Sequence, residues 1–263
     1  MLKHKDFINF DLNSSLGYNN SANMEVRAAV AKVQKYATSE SGDTLEVIER
    51  PRGGLSLVLA DGQRSGRAAK AISNLVVRKA ISLLAEGVRD GAAARATHDY
   101  LYVNRRGKVS ATLDIVSVDL ETKTLVISRN SHCPVIIADQ QGVRTLDAPS
   151  QPIGIYPGTK PVITELPIAL HTWLVVFTDG VLSAGQRYGE QLDVVQFVAD
   201  LLTREEKDVQ AMADAILERA VELDRGRPSD DISVLVLAIL PNVQGDNVRR
   251  MTVRFPIDKF GKK

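Results

Sequence analysis

Apolar runs of strand length that follow one another at hairpin spacing constrain this sequence more than any other feature. LSLVLA (Leu55–Ala60), Ser110–Asp119, Thr124–Ser128, Pro134–Ala138, WLVVFT (Trp173–Thr178) and ISVLVLAIL (Ile232–Leu240) are rich in Val, Ile and Leu. Turn residues such as Gly107 and Glu121 to Lys123 separate the central ones, and RPRGG, with Pro51, Gly53 and Gly54, joins Leu45–Glu49 to LSLVLA. Helical spacing comes in pairs. Arg67–Ala85 is followed by Ala92–Tyr102, and Leu192–Leu202 by Asp208–Leu223. Val26–Tyr36 (VRAAVAKVQKY) fits a short amphipathic helix or a strand. A doubly wound parallel sheet needs strict alternation of strand and helix, so an α+β chain of mostly antiparallel sheets covered by helices is expected.

No repeat or linker interrupts this pattern, so one domain over 24–241 is the simplest organisation. Residues 1–23, dense in Asn and Ser from Asn9 onward, read as a flexible arm, and 242–263 as a polar tail in which Met251–Ile257 (MTVRFPI) is a candidate edge strand. The 33 Lys and Arg against 32 Asp and Glu give a net charge of +1. This lacks the basic excess of a phosphate-neutralising nucleic-acid binder. One cysteine, Cys133, excludes an internal disulfide and a Cys-rich zinc module. No run approaches the roughly 18 apolar residues of a membrane span. A cytoplasmic protein without nucleic-acid or membrane partners is expected.

Acidic residues punctuate the strongest strands. Asp61 follows LSLVLA and Asp179 follows WLVVFT, each opening an Asp-Gly step; Asp230 and Asp231 precede ISVLVLAIL, and Asp43 in SGD precedes another strand. Taken singly, each reads as a turn residue or helix cap. Taken together, they are carboxylates on rigid strand ends that can converge on one rim. Such carboxylates repel one another and call for cations. Hard oxygen donors without a Cys or His cluster favour Mg²⁺ or Mn²⁺ over Zn²⁺. Two ions roughly 3.5–4 Å apart suit attack of water on a phosphate ester. Other phosphate chemistries fail: no GxxxxGK[ST] loop exists, and position 139, where a cysteine phosphatase built on Cys133 would need Arg, is Asp. Cys133 reads as a small buried hydrophobe and Ser65 as a helix N-cap. His4, His98, His132 and His171 lack metal-like spacing and read as incidental.

ADGQRSGRAAK (Ala60–Lys70), RNSHCPVII (Arg129–Ile137), SQPIGI (Ser150–Ile155), VVFTDGVLSA (Val175–Ala184) and PSDDISVLVL (Pro228–Leu237) occur in an order and spacing that resemble the metal-dependent (type 2C, PPM) serine/threonine phosphatases, in their bacterial sporulation stage II protein E-like branch. The resemblance spans Ser41 to Leu240. It implies two packed antiparallel β-sheets flanked by antiparallel helix pairs, with two Mn²⁺ or Mg²⁺ ions at one end. Asp61 would bridge both ions, Asp179 and Asp230 would complete one, and Asp43 with the Gly62 carbonyl would serve the other. Asp61 and Asp179 would thereby be the catalytic pair, with Asp231 orienting the site. The implied reaction is attack of metal-activated water on a phosphoserine or phosphothreonine. The implied substrate is a signalling protein such as a STAS-domain anti-sigma-factor antagonist, linking the chain to sigma-factor regulation. Two departures stand out: Gln63, Arg64, Ser65 and Gly66 replace the family's GHG, and Asn130 to Pro134 shorten its NAGHPP turn. The leaving-group acid is therefore unassigned. Arg50, Arg52 and Arg64 are either phosphate ligands or plain surface cations. A non-catalytic phosphoprotein-binding member and a small-molecule phosphate-ester hydrolase are the alternatives.

Overall fold

A computed structural model of the chain describes residues 23–203 and 208–256. Among them, one sheet joins β1 (Met24–Val33), β10 (Ile232–Pro241), β9 (Thr172–Phe177), β6 (Val135–Asp139) and β7 (Gly142–Leu146) in that order. The other joins β2 (Asp43–Glu49), β3 (Gly54–Asp61), β4 (Leu113–Asp119), β5 (Thr124–Asn130) and β8 (Val162–Pro167). Every neighbouring pair is antiparallel. The helices are α1 (Gly66–Ala85), α2 (Asp90–Arg105), α3 (Asp179–Ser183), α4 (Val194–Leu202) and α5 (Val209–Leu223).

The apolar runs are continuous because both faces of the sheets are covered. Leu57, Leu59, Val116 and Ile127 of the second sheet meet Ile137, Leu174, Val176 and Leu237 of the first between the sheets. The alternate residues of the second sheet, Val58, Ala60 and Ile115, pack under Val76, Val77 and Leu84 of α1 and Leu101 of α2. On the far side, Trp173, Val175 and Val236 pack under Val198 of α4 and Ile216 of α5. The α+β sandwich expected from the sequence is thus present, helices outermost.

One open local reading is decided and three change. Residues 26–33 take the strand alternative: Ala29 and Ala31 face α5 while Val26 and Val30 enter the inter-sheet core, and full pairing with β10 overrides alanine's helix propensity. The expected strand at Met251–Ile257 does not form over 251–256; Ile257 and the arm over 1–22 lie outside the described residues. Asn242 N–H donates to Asn23 O at the end of the ladder, a turn closed by Gly245 N–H on Asn242 O follows, and Met251, Val253 and Phe255 are left exposed. Strands β7 and β8 were not anticipated, being short sheet edges with polar alternation, GVRTL and VITELP. Finally, Arg50 is neither a phosphate ligand nor a surface cation. Its guanidinium is buried against Asp90 at 2.8 Å and also donates to Ser56, Ser117 and the Val88 carbonyl, tying the β2–β3 hairpin to the start of α2. Arg52 is exposed and pairs with Glu121.

Candidate active site

Asp43 opens β2 and Asp61 closes β3 as register partners, so the hairpin alone sets these two carboxylates side by side. The first sheet contributes from the same end. Thr178 and Asp179 follow β9, Asp230 and Asp231 precede β10, and the pairing of Val234 with Phe177 puts those strand ends together. Two hydroxyls clasp the sheets: Thr178 Oγ1 donates to Asp43 Oδ2 at 3.0 Å and Ser233 Oγ at 2.6 Å. The other oxygen, Asp43 Oδ1, is buried without a partner. Asp231 accepts from the backbone N–H of Lys35 and of Gly42 at 2.8 and 2.9 Å, bracing the loop that carries Asp43. Lys32 and Lys70 both donate to the Asp43 carbonyl, at 2.5 and 2.6 Å.

Burial and mutual repulsion govern the charges. Burial, reinforced by Asp43 and Asp179, pushes the Asp61 carboxyl up to about 9. Burial also raises Asp43, against the hydrogen bond from Ser233 and the charge of Lys32. Asp230 rises to about 6, again through burial, with Lys35 opposing and Asp179 adding. Burial, assisted by Lys70, lowers Lys32 to about 8. Among the described residues no three His, Cys, Asp or Glu side chains are drawn into a ready coordination shell. Hard oxygen donors, shared excess charge and the orphaned Asp43 Oδ1 fit a divalent cation.

The two Asp-Gly glycines serve close contact, not turn geometry, and neither has a positive φ. A Cβ on Gly62 would lie 2.1 Å from the Ala69 carbonyl oxygen of α1, and one on Gly180 would lie 1.9 Å from the Asp231 carbonyl oxygen. Gly180→Ala is therefore expected to push α3 away from β10. The cost is about 1–3 kcal/mol, the range of overpacked interiors; a urea midpoint matching wild type would contradict it.

Of the remaining candidates, His132 departs from the incidental reading: its Nε2 stands 3.7 Å from Asp179 Oδ2, on a half-exposed side chain. Arg129 presents that turn, its buried guanidinium donating to the carbonyls of Ser131, Cys133 and Ala148. His98 is buried, and its Nδ1 accepts from Gly154 N–H. Cys133 is buried and its thiol is pushed up by burial. Ser65 holds the N-cap position of α1 without a side-chain capping bond. His4 lies outside the described residues. Reading the sequence missed Lys32, Lys70, Thr178, Ser233 and His132. Thr178 and Ser233 carried a signal as neighbours of the acidic motifs TDG and DDIS, and Lys70 and His132 as members of ADGQRSGRAAK and RNSHCPVII; Lys32 carried none.

Residues 51–240 match the family model of stage II sporulation protein E, SpoIIE. The chain belongs to the SpoIIE family. SpoIIE of Priestia megaterium is 24% identical over 219 residues, 82% of this chain and 37% of that protein. The chain spans about a third of the length of the curated SpoIIE relatives it matches. Among solved structures, the PP2C phosphatase domain with a fragment of the regulatory domain of SpoIIE from Bacillus subtilis superposes with TM-score 0.70 at 20% identity, covering 85% of this chain and 65% of that one. The catalytic domain of the serine/threonine phosphatase PstP, in complex with two manganese ions, superposes with TM-score 0.63 at 15% identity, covering 83% of this chain and all of that one. The chain therefore has the PP2C phosphatase fold of its family.

Proposed function

We propose that the chain is a protein serine/threonine phosphatase that works with two divalent ions, Mn²⁺ or Mg²⁺. The observation that carries this reading is the setting of Asp61, half-buried beside its register partner Asp43 and under the charges of Asp179 and Asp230. A fold without ion chemistry gains nothing from such crowding, which argues against a purely phosphoprotein-binding module. Asp61 would hold both ions, Asp179 and Asp230 one of them, and Asp43 with the Gly62 carbonyl the other. The chemistry that bound ions supply here is a water acidified toward neutrality and a neutralised phosphoryl group.

The chain's own residues do the rest. Asp231 fixes the Gly42 backbone and so the position of Asp43. Thr178 and Ser233 hold one Asp43 oxygen and leave the other free to bind. Lys32 and Lys70 offset the excess negative charge from behind. His132 Nε2, beside Asp179 on the exposed lip, is placed to give a proton to the departing serine or threonine oxygen, the role left vacant by the missing GHG histidine. Exposed Arg64 at the start of α1 remains a candidate for the substrate phosphate. By family membership the substrate would be a phosphorylated signalling protein, with a STAS-domain antagonist of an anti-sigma factor as the reference case.

Hydrolysis of p-nitrophenyl phosphate and of a phosphoserine peptide is expected to require added Mn²⁺ or Mg²⁺ and to fall roughly 10³-fold in Asp179→Asn, several kcal/mol of lost transition-state stabilisation. Ion-independent turnover, or equal rates in the variant, would sink the proposal.

A further inference from the structure

We infer that the outward stripe of α1 is a docking surface for an acidic segment flanking the phosphorylated residue of the substrate, an inference that rests on the phosphatase reading for the nature of the partner. Helix α1 carries Arg67, Lys70, Arg78 and Lys79 and no Asp or Glu in 20 residues. Its inner face is consumed by the core. Outside, Ala71, Asn74, Leu75, Arg78, Lys79 and Ser82 follow one another at spacings of three and four and line an open groove of about 580 Å³, closed on its other side by Tyr100 of α2. At 1.5 Å per residue the stripe from Ala71 to Ser82 is about 16 Å long.

Three features identify the occupant. The groove is of mixed lining, its apolar part supplied by Ala71, Leu75 and the Tyr100 ring, whose face is covered by Lys79 Nζ at 5.5 Å from the centroid. Its rim is cationic, and Arg78 makes no ion pair among the described residues. The neighbouring acid on α2, Asp99, is exposed beside Tyr100 and stands against four cations and no acid on α1. A segment with Glu or Asp on one face and small apolar residues on the other is complementary to both parts. Position ties the groove to catalysis: Ala69, two residues before the stripe, is in backbone contact with Gly62 next to Asp61. One substrate can thus place its phosphoresidue at the carboxylates and its flank along α1.

The test uses a fluorescein-labelled phosphoserine peptide with a Glu- and Leu-containing flank, its unphosphorylated form, and counterparts in which Gln replaces Glu. Fluorescence anisotropy with the full chain is expected to show the acidic-flank peptides, phosphorylated or not, binding roughly tenfold tighter than the Gln forms, with the advantage shrinking at high salt. Arg78→Glu/Lys79→Glu should abolish that preference, whereas Arg95→Glu/Arg105→Glu, an equal charge change on exposed positions of α2, should leave it within twofold. Equal binding of Glu and Gln flanks to wild type, or an undiminished preference in the α1 variant, overturns the inference. Because the unphosphorylated peptides report binding without turnover, failure of p-nitrophenyl phosphate hydrolysis in wild type counts against the phosphatase reading alone. Its rate should be the same in all three proteins.

Discussion

Asp61→Asn is expected to raise the melting temperature of the ion-free protein while removing nearly all phosphatase activity. The two effects have one origin. The carboxylate is half-buried among three others and its folded-state pKa is pushed up to about 9, against about 3.9 for an unfolded aspartate. Between those values the folded chain retains a proton that the unfolded chain has released. Stability from this group is therefore complete below about pH 4, declines as pH rises, and is lost through about pH 9. Asparagine has no such dependence, so the variant's advantage should grow from pH 5 to pH 8, reaching on the order of 2 kcal/mol, or several degrees for a domain of this size. Added Mn²⁺ or Mg²⁺ should invert the order, stabilising wild type by binding the folded state and leaving the variant nearly unmoved. Activity should fall roughly 10³-fold with the loss of the shared ligand. Scanning calorimetry at several pH values, with chelator and with ion, separates the cases; a variant that melts lower at every pH would refute the crowding argument.

Arg50→Ala is expected to produce the opposite profile, a large loss of stability with chemistry intact in whatever remains folded. The guanidinium and Asp90 are both under a tenth exposed, 7% and 5%, and Ser56 and Ser117 complete the network. Truncating one partner leaves the other charge buried and unpaired, which costs about 3–5 kcal/mol. Replacing both by apolar residues, as in Arg50→Met/Asp90→Leu, should recover most of it. Urea denaturation of the single and double variants measures the contrast. A single variant within about 1 kcal/mol of wild type would show that water reaches Asp90.

These two residues also mark where sequence reading succeeds and where it stops. Asp61 was legible because a strand run ends on it, and strand ends are addresses that survive without knowledge of pairing. The same logic located Asp43, Asp179 and Asp230, and both faces of the sheets being covered made the apolar runs unmistakable. Arg50 was not legible. Its partner is 40 residues away, beyond β3 and the whole of α1, and nothing in RPRGG distinguishes a guanidinium folded inward from one in water. The alanines of β1 look helical until β10 is known to pair with them, and β7 and β8 are too polar to announce themselves as sheet edges. The glycines of the two Asp-Gly steps were visible but their purpose was not, since a turn and a backbone approach that leaves no room for a Cβ leave the same letters.

Strand order bears on how such a chain is made. Among the described residues β1, the first strand, has β10, the last, as its only partner in the sheet. On a ribosome adding roughly 5–20 residues per second, the 198 residues between Val33 and Ile232 take on the order of 10–40 s to appear. Throughout that interval β1 has no ladder to join, and Asp43 lacks Ser233 and the neighbouring Asp230 and Asp231. On the proposed phosphatase reading the nascent protein would be inert, its acidic centre closing only when synthesis has passed Pro241.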